Sequence, residues 1–199
     1  MLSLDKSEIL RYLGFRKKAE LTAEISNMID ELVTLAQEVA KPRYLYRIFN
    51  LRVDEQAKQV KVLGTELMLT GKSITSHLQK AKKIALLVVT LGMEIERKIN
   101  QYSVNDETKT VILEAICNDY IEKICDLAQR NVKNELGNGW TMNRRFSPGY
   151  GDLPLNVQAK FLEIMQASKK LGIYLNESDL MIPRKSVTAI LGVFENKSL

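Results

Sequence analysis

Histidine occurs once in the 199 residues, tryptophan once and cysteine twice. The single imidazole, His77, has no cysteine or carboxylate cluster at ligand spacing around it, which argues against a structural zinc site. The plain reading is a surface or partly buried helix residue. With no GxSxG segment and no nucleophile near that histidine, a hydrolase triad is also unsupported. Cys117 and Cys125 stand eight residues apart in a stretch that reads as helix, so their Cα atoms are about 12 Å apart, too far for a disulfide. Both are expected as reduced core thiols. The longest apolar run, 84–89, is of strand length, far short of the roughly twenty residues a membrane span needs, and no signal peptide is visible. The chain is therefore expected to be cytoplasmic, with no membrane partner. An excess of one charge is lacking too: the formal net charge is +5, and basic residues are scattered among acidic ones. Without a recognition motif or aromatic residues interleaved with basic ones, no nucleic-acid partner is expected.

What is present is enough apolar residue, 45% of the chain, to build one core. A capped helix is expected from Asp5 to the stop at Gly14, and a second from Ile25, whose helical spacing continues until Pro42. Strand-like pieces follow at 43–51, 60–63 and 66–69, with a turn at Gly71. Residues 76–83 look helical and polar. "IALLVVTLG" then reads as a buried strand, followed by a helix from Met93. The longest pattern, 106–136, carries an apolar stripe ended by Gly137. A helix at 155–170 and strands at 173–175 and 187–194 complete the series. The expected class is α+β: a single domain over 1–199 with a mixed or antiparallel sheet covered by helices, a long central helix, and a helical N-terminal part, 1–42, packed on it.

Proline and glycine are scarce, four and ten residues, yet two of each fall within 148–154, behind Arg144 and Arg145. Pro148 fixes its own φ and pushes Ser147 into an extended conformation, while Gly149 and Gly151 permit positive φ, so the backbone turns sharply there. Tyr150, between the glycines, can wall a pocket, and an arginine can hold a carboxylate through two parallel bonds. The alternative is a rigid surface loop with solvated arginines. Two other motifs are weaker. "GKS" at 71–73 ends like a phosphate-binding loop but has Glu66 where that motif needs glycine. "TLGMEIE" places a glycine between strand and helix, an ordinary tight turn. On the central helix Glu114, Asn118 and Glu122 share one polar side.

"RRFSPGYGDLPL", residues 144–155, resembles the Arg-x-x-x-Gly-Tyr signature of the adenosylmethionine-binding activation domain family of cobalamin-dependent methionine synthase. "RYLG" near the start, "TLGMEIE" at 90–96 and "NESDLMIPRKSVTAILG" at 176–192 are similar to the same family in the same order, so the resemblance covers nearly the whole chain. It implies a C-shaped α+β domain that binds S-adenosylmethionine in a shallow groove. Such a domain docks on a cobalamin-dependent methionine synthase or other corrinoid protein and supports reductive methylation of cob(II)alamin with an electron from a flavodoxin-like donor. Carried over, Arg145 would bind the ligand carboxylate. Pro148, Gly149 and Tyr150 would hold the adenosine end, Glu122 would attract the sulfonium or ammonium, and Ser186, from the Ser-Val landmark, would complete the set.

The chain departs from the family pattern at Gly151, where the methionine synthase members carry proline. It also ends at Leu199, before further ligand-contacting residues. Without corrinoid, folate or homocysteine modules it is expected to act in trans, as a component of a methyltransferase system. The alternative is a docking module for a corrinoid protein that does not bind S-adenosylmethionine.

Overall fold

The structure, a computed structural model, describes residues 2–15 and 21–196. Two helices come first, α1 (Lys6–Tyr12) and α2 (Ala23–Val39), then the strands β1 (Arg43–Asp54), β2 (Gln59–Val62) and β3 (Met68–Thr70). A short helix, α3 (Lys72–Leu78), leads into β4 (Lys83–Thr90), α4 (Met93–Asn105), the long α5 (Glu107–Leu136) and the short strand β5 (Trp140–Met142). The chain continues through α6 (Val157–Met165), α7 (Ala167–Leu171), β6 (Tyr174–Leu175), β7 (Met181–Ile182) and β8 (Ser186–Glu195). Six strands form one sheet in the order β3-β2-β1-β4-β8-β5, antiparallel at every pairing, and β6 and β7 form a separate two-stranded ribbon. The expected α+β single domain is what is found, its sheet being purely antiparallel.

β4 explains the layering. Its residues Ala85, Leu87 and Val89 enter one core with α1, α2, α4 and α5, while Ile84, Leu86 and Val88 enter a second core with α3, α6 and α7. All six are fully buried, so the strand is covered on both faces and its sequence runs apolar without alternation. Burying each of the larger side chains among them, all but Ala85, stabilises by about 1.5–3 kcal/mol. α5 lies across the first core. Asp106 accepts a hydrogen bond from the Lys109 amide at 2.9 Å to cap its start, and Gly137, at φ 79°, ends it, which agrees with the span expected from sequence. Cys117 and Cys125 lie buried and free on this helix.

Several elements differ from expectation. The helix expected at 76–83 lies earlier, as α3, and it is not polar throughout: Ile74, Thr75 and Leu78 are buried. The helix expected at 155–170 is two helices, because Gln166 adopts φ 55° and lets Phe161, Met165, Ala167 and Leu171 all reach the second core. Two arginines of β1 satisfy carbonyls near the ends of these helices, Arg47 donating to the Ile164 carbonyl at 2.9 Å and Arg43 to that of Leu171 at 2.6 Å. The strand expected at 66–69 is Met68–Thr70, and the one at 173–175 belongs to the ribbon. β5, only three residues long, gave no sequence signal. The expected domain span of 1–199 includes residues 1, 16–20 and 197–199, which lie outside the described residues. Among the described residues no helix is long and apolar enough to cross a membrane.

Candidate functional site

After β5 the chain runs back along β8, where Phe146 and Ile190 exchange backbone hydrogen bonds at 2.9 and 2.7 Å. Pro148 is buried. The segment then folds on itself: the Tyr150 amide donates to the Ser147 carbonyl, the Leu153 amide to that of Tyr150, and the Gly149 amide to that of Leu153, at 2.9–3.1 Å. Gly149 and Gly151 supply the positive φ values, 86° and 56°, that this double turn requires. Leu153 is sunk into the second core, while the Tyr150 side chain stays 60% exposed. The bend is therefore built from its own hydrogen bonds and one apolar anchor, with the tyrosine held outward.

This turn sits against the start of α3. The Asp152 carboxylate accepts from the Lys72 amide at 2.7 Å and from the Ser73 amide at 2.9 Å, and these amides of Ser73 and Lys72 hold the carboxyl below its ordinary value. The approach leaves no room for side chains. A Cβ on Gly71 would lie 2.7 Å from Asp152 Oδ1, and one on Gly151 would lie 2.6 Å from Ser73 Oγ. Gly151 thus has a reason of its own to stand where the resembling family carries proline.

Between α3 and the turn lies a concavity of 970 Å³, with Ser73, Ser76 and His77 on one side and Arg144, Arg145, Phe146, Gly149, Tyr150 and Gly151 on the other. Its aromatic floor is a ladder, the His77 and Phe146 rings 5.1 Å apart and the Phe146 and Tyr150 rings 6.1 Å apart, edge to face. His77 is a partly buried helix residue. Its Nε2 is buried and without a hydrogen-bond partner among the described residues, and burial pushes the imidazole below its usual value. A second concavity, of 410 Å³, opens on the other side of Tyr150, lined among others by Pro148, Leu180, Met181, Arg184, Ser186 and Thr188.

Five of the six residues singled out from sequence divide between these spaces. Arg145, Gly149 and Tyr150 line the larger one; Pro148, Tyr150 and Ser186 line the smaller, so Tyr150 is the wall common to both. Ser186 is buried, and its hydroxyl donates to Thr90 Oγ1 at 2.9 Å. Glu122 lines neither space and stands behind Arg145, accepting from Nη2 at 2.6 Å. Arg145 Nη1 donates to Asp126 at 2.7 Å and to Gln129 at 3.4 Å. The expected polar side of α5 is engaged along its length: Glu114 binds Arg184 and Lys185, Asn118 accepts from Lys185 at 2.8 Å, and Glu122 takes Arg145. Glu96, buried at the start of α4, accepts from both the amide and Nε of Arg184, at 2.6 and 2.7 Å.

The sequence reading did not include Ser73, Ser76, His77 or Asp152 in the site, nor Asp126 beside Arg145. Two glycines, Gly71 and Gly151, were the only local signs of a close approach. Chemically the larger space offers a guanidinium, an exposed phenol ring and turn backbone, in a volume suited to a small ligand. No group of three or more metal-ligating side chains occurs among the described residues.

A family model described as vitamin B12 dependent methionine synthase, activation domain, matches residues 22–198. Among solved structures, a crystal structure of the MetH reactivation domain bound to AdoHcy is similar, with a TM-score of 0.70 over 98% of this chain and 75% of that one. At 16% identity this likeness concerns the fold alone. No curated protein matches.

Proposed function

Because the chain belongs to the family of vitamin B12-dependent methionine synthase activation domains, we propose that it is a reactivation module acting in trans, which binds S-adenosylmethionine and presents its methyl group to cobalamin on a separate methionine synthase or other corrinoid protein. The observation that carries this reading is the meeting of Arg145 and Tyr150 at one 970 Å³ concavity. A carboxylate-bearing ligand with a flat ring system finds complementary groups there.

In this reading Arg145 holds the ligand carboxylate. Its bonds to Asp126, Gln129 and Glu122 use Nη1 and Nη2, so among the described residues Nε and a further Nη2 hydrogen remain as donors. Glu122, paired with Arg145 from behind, is the carboxylate assigned to attract the ammonium or sulfonium. Pro148 and Gly149 shape the turn that receives the adenosine end, and the Tyr150 ring packs against it. Ser186, with its hydroxyl turned to Thr90, shapes the adjoining space. Adenosylmethionine supplies an electrophilic methyl group, and a flavodoxin-like protein supplies the electron that cob(II)alamin needs. The chain's part is binding and orientation, for which no acid–base residue is required. Such a module works in the cytoplasm.

A second reading, a docking module that does not bind adenosylmethionine, draws on the fact that Arg145 is already paired with two carboxylates. Calorimetric titration with adenosylmethionine separates the two. The fuller test adds the chain, adenosylmethionine and a reductant to a cob(II)alamin-loaded partner. Growth of the methylcobalamin spectrum supports reactivation; a flat spectrum together with no heat of binding rejects it.

A further inference from the structure

We propose that Asp152 is a positioning residue for the ligand site, its carboxylate latching the turn at 148–152 onto the first amides of α3 and thereby fixing Tyr150 and the width of the larger concavity. The proposal rests on the reading of the site given above. A helix start leaves backbone N–H groups that need acceptors, and the residue before the helix normally supplies one from its side chain. At α3 that residue is Gly71, which has none. Asp152 fills the role from another part of the chain, with Oδ2 on the Lys72 amide at 2.7 Å and Oδ1 on the Ser73 amide at 2.9 Å. The "GKS" stretch that ends like a phosphate loop does receive an anionic group, and the group is the chain's own.

The two partners are shaped for each other on both sides. Any side chain at Gly71 would strike Asp152, and any side chain at Gly151 would strike Ser73. The walls of the larger concavity follow from this contact, because Ser73, Ser76 and His77 ride on α3 while Gly149 and Tyr150 ride on the turn. Elsewhere the segment is held by the Phe146 and Ile190 bridge, by the turn's own backbone bonds and by Leu153 in the second core; the turn's own bonds set its internal shape, not its distance from α3. That bridge lies before the bend and does not fix the orientation of Tyr150. The charge-assisted pair of hydrogen bonds from Asp152 joins the turn, and Tyr150 with it, to the start of α3 in a defined direction.

The test compares wild type, Asp152→Ala and Asp152→Asn by hydrogen exchange at the Lys72 and Ser73 amides and by calorimetric titration with S-adenosylhomocysteine. Both amides are expected to be protected in wild type and to exchange freely in Asp152→Ala. Affinity should fall about tenfold in the alanine variant, and asparagine, which keeps an acceptor of the same shape, should recover part of it. Unprotected amides in wild type overturn the latch, even if the alanine variant does not fold. Wild-type binding that Asp152→Ala leaves unchanged overturns the positioning role alone. Failure of wild type to bind overturns the reading of the site itself and the positioning role with it.

Discussion

At the scale of single residues, Arg145 is balanced between α5 and the concavity. Replacing it with alanine removes the cation that Glu122 and Asp126 share and leaves both carboxylates near the place assigned to the ligand's own carboxylate. Adenosylmethionine binding is expected to weaken by roughly 1.5–3 kcal/mol, read by calorimetry. Equal affinity in the variant would remove Arg145 from the site. Lysine should not restore binding, since one ammonium cannot span two carboxylates and a ligand. Gly151 is constrained differently, by a φ of 56° and by Ser73 Oγ 2.6 Å from where a Cβ would be. Gly151→Ala should cost about 1–3 kcal/mol of folding stability in a urea titration. A denaturation midpoint identical to wild type would contradict the close approach. The positive φ was readable from "PGYG"; the Ser73 contact was not, because Ser73 lies 78 positions away along the chain.

At the scale of elements, α5 was legible from end to end. Asp106 and Gly137 mark its limits by local chemistry, a side-chain cap and a positive-φ stop. Its two cysteines were rightly placed as reduced core thiols, and burial pushes each up to about 12. Both should resist iodoacetamide at about pH 8 in the native protein and react fully in urea; rapid native labelling would mean that α5 is not packed as described. Their unfolded value is 9.0, so the stabilisation they contribute is present below that pH and lost as pH rises from there towards about 12. Helix α3 was less legible. Its start depends on a capping carboxylate that the local sequence does not contain, and the stretch that looks helical and polar, 76–83, begins four positions late. The break at Gln166 was hidden for a related reason: glutamine carries no local preference for left-handed backbone, and packing imposed it.

At the scale of the whole molecule, carboxylates that accept backbone or side-chain hydrogen bonds couple folding to pH. Asp5 is held below the ordinary value by the Ser7 hydroxyl, Asp106 by the Lys109 amide and Asp152 by the Ser73 amide. A depressed folded value means that the stabilisation is present above the unfolded value of 3.8 and lost as pH falls through the lower folded values. Thermal melts should therefore show a plateau between about pH 5 and 8 and a steep loss below about pH 4. A midpoint unchanged down to about pH 3 would deny these bonds a part in stability.

The sequence by itself determined the properties that depend on near neighbours. The unbroken apolar run at 84–89 required a strand covered on both faces, the caps and stops fixed α5, and the Pro-Gly cluster required a sharp turn. Order of motifs along the chain was enough to point to the family. Tertiary structure alone decided which surfaces meet: the strand order, the placing of Glu122 and Asp126 on Arg145, and the docking of Asp152 on α3. The physical reason is that backbone dihedral preferences and hydrophobic periodicity act over a few residues. A contact between residues 79 or 80 positions apart forms only because one core, on one face of the sheet, takes in Ile74 and Leu78 of α3 together with Leu153 of the turn and so carries both segments to the same place.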